Sequence, residues 1–377
     1  IRFRFPYTEN RLSILPQHGE ETESYDPQIY DRVDLAWMKR NFIMGFVFVW
    51  DLDFYDPVAR RYTVDAYCQK MNEEFGGFNS VLLWHSYPNI GIDQRNQYEI
   101  FSMLPGGLDS LRQAIQQFHH NDVKAFIAYT PWDEATRRPP AIDEVMLAEL
   151  VAALDLDGIF MDTKAAGAET LRAELDKRKM GVAIIPELAP VFADLHGKQA
   201  CSGSWAQKYF IAPYKDYGEL HMKWIEPRHM QYQIDRWNKS HHDELLMAWI
   251  NGSGIQVWEN VFGSWSPWQA DDRVDLRKMN ILYRYFGKLY TEPSWKPYIP
   301  TGVENVFASF WENESVRVWN VVSTNGDSRW IYLKFAYRDD QIFDIWYGNP
   351  ATKNLVGDSV FVELPKGRMG AYAAIKT

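Results

Sequence analysis

The stretch Ile43-Met44-Gly45-Phe46-Val47-Phe48-Val49-Trp50 is unbroken apolar chain that stops at Asp51-Leu52-Asp53. A strand with one face in water alternates apolar and polar residues. A strand buried on both faces, as in a parallel sheet, reads as a continuous apolar run. Val123–Tyr129 has the same texture, with Ala125-Phe126-Ile127-Ala128-Tyr129 at its heart. Outward from these two, six more segments fit the role: Ser80–His85, Asp157–Asp162, Val182–Glu187, Ala200–Trp205, Met222–Glu226 and Ile255–Glu259. Helical patterns at Leu108–Asn121, Ile142–Leu154, Glu169–Lys179, Met230–Ile250 and Asp272–Tyr290 are interspersed with them. This alternation predicts an α/β fold, a (β/α)8 TIM barrel, over residues 41–295.

The texture changes on either side. Residues 1–40 are polar, with Pro6, Pro16, Pro27 and the acidic Glu20-Glu21-Thr22-Glu23, and are expected to be an N-terminal extension or the remnant of an upstream domain. Beyond the proline-rich Pro293–Pro300, short alternating runs separated by turns such as Asn325-Gly326-Asp327 predict a small antiparallel β-sandwich over 296–377.

Composition narrows the function. The net charge of −10 argues against a nucleic-acid partner, because an acidic chain repels phosphate backbones. No apolar run is long enough to span a bilayer. Cys68 and Cys201 match no metal motif, and no cofactor is called for. A start at Ile1 leaves room for a removed signal peptide or upstream domain, and a secreted or periplasmic location is favoured over a cytoplasmic one. The 16 Trp and 21 Tyr suit a carbohydrate partner, an oligosaccharide, polysaccharide or glycoconjugate, whose C–H faces stack on aromatic rings.

In such a barrel, chemistry sits at the C-terminal ends of the strands. The residues there are acidic and aromatic: Trp50, Asp51 and Asp53 after the first strand, His85 on the second, Tyr129 and Trp132 on and after the third. Asp162 ends the fourth and Glu187 the fifth. Glu226, with Arg228 and His229, ends the expected seventh, and Trp258-Glu259 the eighth. In Asp157-Gly158-Ile159-Phe160-Met161-Asp162-Thr163, alternation puts Phe160 and Asp162 on one face. Adjacent strands lie about 4.8 Å apart, so carboxylates ending neighbouring strands can reach glycosidase spacing. Asp162 is the expected nucleophile, kept ionised by Lys164. Glu187, in apolar surroundings that favour its protonated form, is the expected acid/base, and Glu226 its rival. The remaining strand-end residues are expected to bind substrate.

The Asp157–Thr163 stretch resembles the fourth-strand motif of glycoside hydrolase barrels, including endo-α-N-acetylgalactosaminidases and endo-α-1,4-polygalactosaminidases. That resemblance implies a strand-four Asp paired with a strand-five Glu, here Asp162 and Glu187, and an α-linked galacto-configured or amino sugar. α-Galactosidase-type barrels resemble it too but use a strand-six Asp, and Cys201-Ser202-Gly203-Ser204-Trp205 carries no carboxylate. The closing layout, a Glu on the last strand followed by a long helix and a sandwich, is similar to amylases in the broad sense. Trp224–His229 and Trp249-Ile250-Asn251-Gly252 resemble uncharacterised bacterial glycosidase-like barrels. Two alternatives remain open: a barrel that binds carbohydrate without cleaving it, and a metal-dependent hydrolase. The latter is disfavoured by the scarcity of strand-end histidines, His85 being the clear one.

Overall fold

The computed structural model describes residues 28–85, 94–132, 137–163, 169–187, 203–206, 223, 226–234, 240–261, 264–265 and 267–376. Eight parallel strands form one curled sheet: β1 (Ile43–Phe48), β2 (Ser80–Trp84), β3 (Lys124–Tyr129), β4 (Gly158–Met161), β5 (Ala183–Pro186), β6 (Gly203–Ala206), β7 (Met230–Gln233) and β8 (Gly254–Val261). They run in the order β5-β4-β3-β2-β1-β8-β7-β6, so sequence neighbours are spatial neighbours and β1 pairs with β8. β5 and β6 lie side by side at the seam, without ladder pairs among the described residues. Helices α1 (Val64–Phe75), α2 (Gln97–Met103), α3 (Gly107–His120), α4 (Asp143–Leu154), α5 (Glu169–Arg178), α6 (His242–Asn251) and α7 (Ala270–Phe286) accompany the strands.

One expectation needs correcting. The seventh strand of the sheet is Met230–Gln233, at the start of what reads as a helix at Met230–Ile250, whereas most of the expected Met222–Glu226 lies outside the described residues. Within the expected N-terminal extension, Tyr30, Leu35 and Met38 are buried, and the Trp37 Nε1 donates to the Gly181 carbonyl ahead of β5.

The barrel interior is aromatic. Phe46 stacks on Trp258 with centroids 4.5 Å apart and lies 4.9 Å from Trp84. Trp84 of β2 in turn lies 6.2 Å from Phe160 of β4. Because β3 separates those two strands, their side chains can meet only across the barrel axis. That contact fixes which residues point inward: Phe46, Trp84, Phe160 and Trp258 do, and so do positions two residues further along each strand.

The two ends of the Asp157–Thr163 motif do different work. Asp157, at the base, accepts hydrogen bonds from the His119 Nε2 at 2.7 Å, the Lys124 Nζ at 2.9 Å and the Ala125 N–H at 2.9 Å. Burial alone would raise its carboxyl, but these three donors outweigh it and hold it below the usual range. A depressed native pKa stabilises the fold above the unfolded carboxyl value of about 3.9, and that stabilisation is lost as pH falls through the native value. Asp157→Asn is therefore expected to lower the melting temperature at neutral pH, with the gap to wild type closing below about pH 4 in a series of thermal melts. Gly158 is there for space, since a Cβ would stand 2.0 Å from the Phe126 ring. Gly158→Ala is expected to cost about 1–3 kcal/mol by overpacking, measurable by denaturant unfolding.

The C-terminal unit is a two-sheet sandwich. β9 (Lys296–Ile299), β10 (Val306–Glu312), β11 (Val316–Ser323), β13 (Ile342–Asp344) and β16 (Met369–Ile375) form one sheet. β12 (Arg329–Tyr332), β14 (Lys353–Val356) and β15 (Ser359–Leu364) form the other, with Phe310, Trp319, Val362 and Tyr372 packed in the common core. The outer face of the larger sheet rests on α6. The Trp249 Nε1 donates to the Gly370 carbonyl at 2.9 Å, and the Asn320 Nδ2 donates to the Trp249 carbonyl at 2.8 Å. Trp249-Ile250-Asn251-Gly252 is thus the joint between barrel and sandwich. Gly252, at φ +56°, leaves room for Trp311, whose ring a Cβ would meet at 2.9 Å.

Candidate active site

Asp162 and Glu187 end neighbouring strands in matched register. Met161 of β4 pairs with Pro186 of β5, and one residue further the Asp162 N–H donates to the Tyr129 carbonyl at 2.9 Å and the Glu187 N–H to the Met161 carbonyl at 3.0 Å. Asp162 lies two positions beyond Phe160 and therefore faces the axis at the rim. Glu187 is two beyond Ile185, the register partner of Phe160, and faces the same way. The backbone spacing of about 4.8 Å brings the two carboxyl groups into the range of a two-carboxylate site.

The surroundings tie the pair together. The Thr163 N–H donates to the Glu187 Oε2 at 2.7 Å, so Glu187 leans over the residue that follows Asp162. Thr163 holds φ +58°, an uncommon conformation for a β-branched side chain. Its strained backbone aims the N–H at Glu187. Nothing in the sequence marks Thr163 for this role. The Trp132 Nε1 donates to the Asp162 Oδ2 at 3.1 Å while 43% of the residue remains exposed, so one indole both steadies the carboxylate and offers a ring face to the mouth. Below the pair lies the Phe46–Trp84–Phe160–Trp258 floor, and Trp258 is part of it at 6% exposure.

Several expected site residues are placed elsewhere by the same alternation. Tyr129 follows the inward Ala128 and points out to α4, where its hydroxyl donates to the Asp143 Oδ2 at 2.6 Å. Glu259 follows the inward Trp258 and points to the helical layer. There it accepts the Trp268 N–H at 2.9 Å and the Arg273 Nη2 at 2.9 Å, and burial raises its carboxyl against those two partners. His85 follows Trp84, is fully buried 3.9 Å from the Phe101 ring, and is pushed down to about 3 by burial. Asp53 pairs with Lys70 of α1. Asp51 organises the turn after β1, its Oδ1 accepting the Asp53 N–H at 2.8 Å, and Trp50 is half-buried against the main core.

Glu226, Arg228 and His229 precede β7 rather than ending a strand, so they sit at the opposite end of the barrel from Asp162. Arg228 grips Glu226 through its Nε at 2.8 Å and its Nη2 at 2.9 Å, and also pairs with Asp31. The Tyr30 hydroxyl meets the His229 Nδ1 at 2.6 Å. This cluster fastens residues 28–40 to the barrel base and removes Glu226 from the candidate pair. Lys164 lies outside the described residues. No group of three or more His, Cys, Asp or Glu side chains suited to a metal occurs among the described residues, and no helix there is long and apolar enough to cross a membrane.

No protein-family model matches the sequence, and no curated protein matches it. Solved structures do. An α-amylase from Anoxybacillus superposes with a TM-score of 0.62 at 11% identity, covering 90% of this chain and 99% of the other. An α-amylase from Geobacillus thermoleovorans, solved with acarbose, gives 0.59 at 10% identity with 90% and 99% covered. A debranching enzyme from Nostoc punctiforme gives 0.60 at 8% identity with 90% and 99% covered. The chain therefore has the fold of these enzymes, a TIM barrel followed by a β-domain.

Proposed function

We propose that the protein is a retaining glycoside hydrolase acting on an α-linked saccharide, with Asp162 as nucleophile and Glu187 as acid/base. The observation that carries this reading is the pairing of Asp162 and Glu187 on adjacent strand ends, both turned to the axis at the mouth. Asp162 attacks the anomeric carbon while Glu187 protonates the departing oxygen. Water, deprotonated by Glu187, then hydrolyses the glycosyl-enzyme. Trp132 supplies a stacking surface beside the reacting carbon.

The motif resemblance favours a galacto-configured or amino sugar, whereas the fold likeness brings α-glucans into consideration. A panel of aryl α-glucosides, α-galactosides and α-N-acetylgalactosaminides, with starch and galactosaminoglycan polymers, tests the reading. Release of one sugar by the wild type and not by Asp162→Asn supports it. Saturable binding of a saccharide without turnover on any α-linked substrate would replace it with a non-catalytic carbohydrate-binding barrel.

A further inference from the structure

At the far end of the barrel from Asp162, a cavity of about 710 Å3 lies between the base of the barrel, the last turn of α7 and the β10–β11 turn of the sandwich. That volume suits a small ligand. Its walls carry Arg40, Arg284 and Lys288, all exposed, and among the described residues no carboxylate lines it. Among the described residues none of the three cations is paired with an acid; Arg284 spends one Nη2 hydrogen bond on the Gly76 carbonyl. In a chain of net charge −10 this is a local reversal of sign. Arg284 and Lys288 compensate the negative end of α7, and Arg40 reaches the same end from residues 28–40, its Cδ 3.7 Å from where a Cβ on Gly287 would stand, so three cations converge there. Tyr285 stands 82% exposed on the rim, its ring edge-on to Phe286 at 4.7 Å. The Asn313 Oδ1 is engaged by the Ser315 and Val316 N–H groups at 2.9 Å each, which turns its amide N–H2 outward as a donor.

We infer that this cavity is a second binding site, for a sugar bearing a negative charge. Arg40 and Lys288 take the anion, Tyr285 stacks on the ring and Asn313 binds a hydroxyl. The site goes beyond the proposed hydrolysis and does not rest on it: a protein without glycosidase activity would still bind. Isothermal titration of the whole chain with glucose 6-phosphate, glucuronate, glucose and inorganic phosphate tests the inference, the first two probes separating a phosphate ester from a carboxylate as the charged group. Saturable one-to-one binding of at least one charged sugar is expected, with glucose and inorganic phosphate at least tenfold weaker. Affinity is expected to fall with added salt and to drop at least tenfold in Arg40→Glu and Lys288→Glu. Tyr285→Ala is expected to weaken the charged sugar but not inorganic phosphate, and Asp162→Asn to bind as wild type. The charge-reversal sites are exposed, and unchanged melting temperatures will confirm that those variants fold. No saturable binding of either charged sugar, equal binding of glucose or of inorganic phosphate, or undiminished binding in the double reversal Arg40→Glu/Lys288→Glu would overturn the inference.

Discussion

Asp162→Asn is expected to lower kcat by about four orders of magnitude or more on whichever glycoside the wild type cleaves. The substitution keeps the shape of the side chain, and the amide oxygen can still accept the Trp132 indole N–H. The Asp162 N–H to Tyr129 carbonyl bond at the end of β4 involves only backbone and is untouched. What disappears is the anion that attacks the anomeric carbon. Substrate affinity is therefore expected to stay within a few-fold of wild type and the melting temperature to stay close to it. A large fall in kcat with an unchanged melt separates loss of chemistry from loss of fold.

Glu187→Gln is expected to lower kcat/KM by about two to four orders of magnitude on a natural glycoside, the usual worth of a positioned general acid. The carboxamide oxygen can still accept the Thr163 N–H, so the strained turn keeps its partner. The loss should depend on the leaving group. An alkoxide needs the proton that Gln cannot give, whereas a nitrophenolate departs without one. The ratio of wild-type to variant rates should thus shrink as the leaving group becomes more acidic. A loss of equal size for every leaving group would argue that Glu187 holds the loop rather than donating a proton.

Most of the barrel is legible in the sequence because parallel strands buried on both faces are apolar throughout. The seventh strand escapes this criterion for a physical reason. Met230-Gln231-Tyr232-Gln233 alternates, and its glutamines are nonetheless buried at 3% and 1% exposure. Taking Met222–Glu226 in its place carried Glu226, Arg228 and His229 from the base of the barrel to its mouth.

The site was legible where alternation could be anchored and not elsewhere. Asp162 shares the face of Phe160. Tyr129, His85 and Glu259 each stand one residue off the inward face of their own strand. Proximity to a strand end could not reveal that. It took the Trp84–Phe160 contact across the axis and the strand register to sort inward from outward. The same register shows why the stretch Asp157–Asp162 has carboxylates at both ends: Asp157 staples the base to His119 and Lys124, and Asp162 stands at the rim.

The most direct test of the account is to trap the covalent intermediate. A 2-deoxy-2-fluoro or 5-fluoro glycosyl fluoride, matched to the sugar found in the substrate panel, is incubated with the wild-type protein, and the labelled peptide is identified by mass spectrometry. One glycosyl group per chain is expected, esterified to Asp162, with labelling abolished in Asp162→Asn. A label on Glu187 or Glu259, or an active enzyme that inverts the anomeric centre and never becomes labelled, would contradict it.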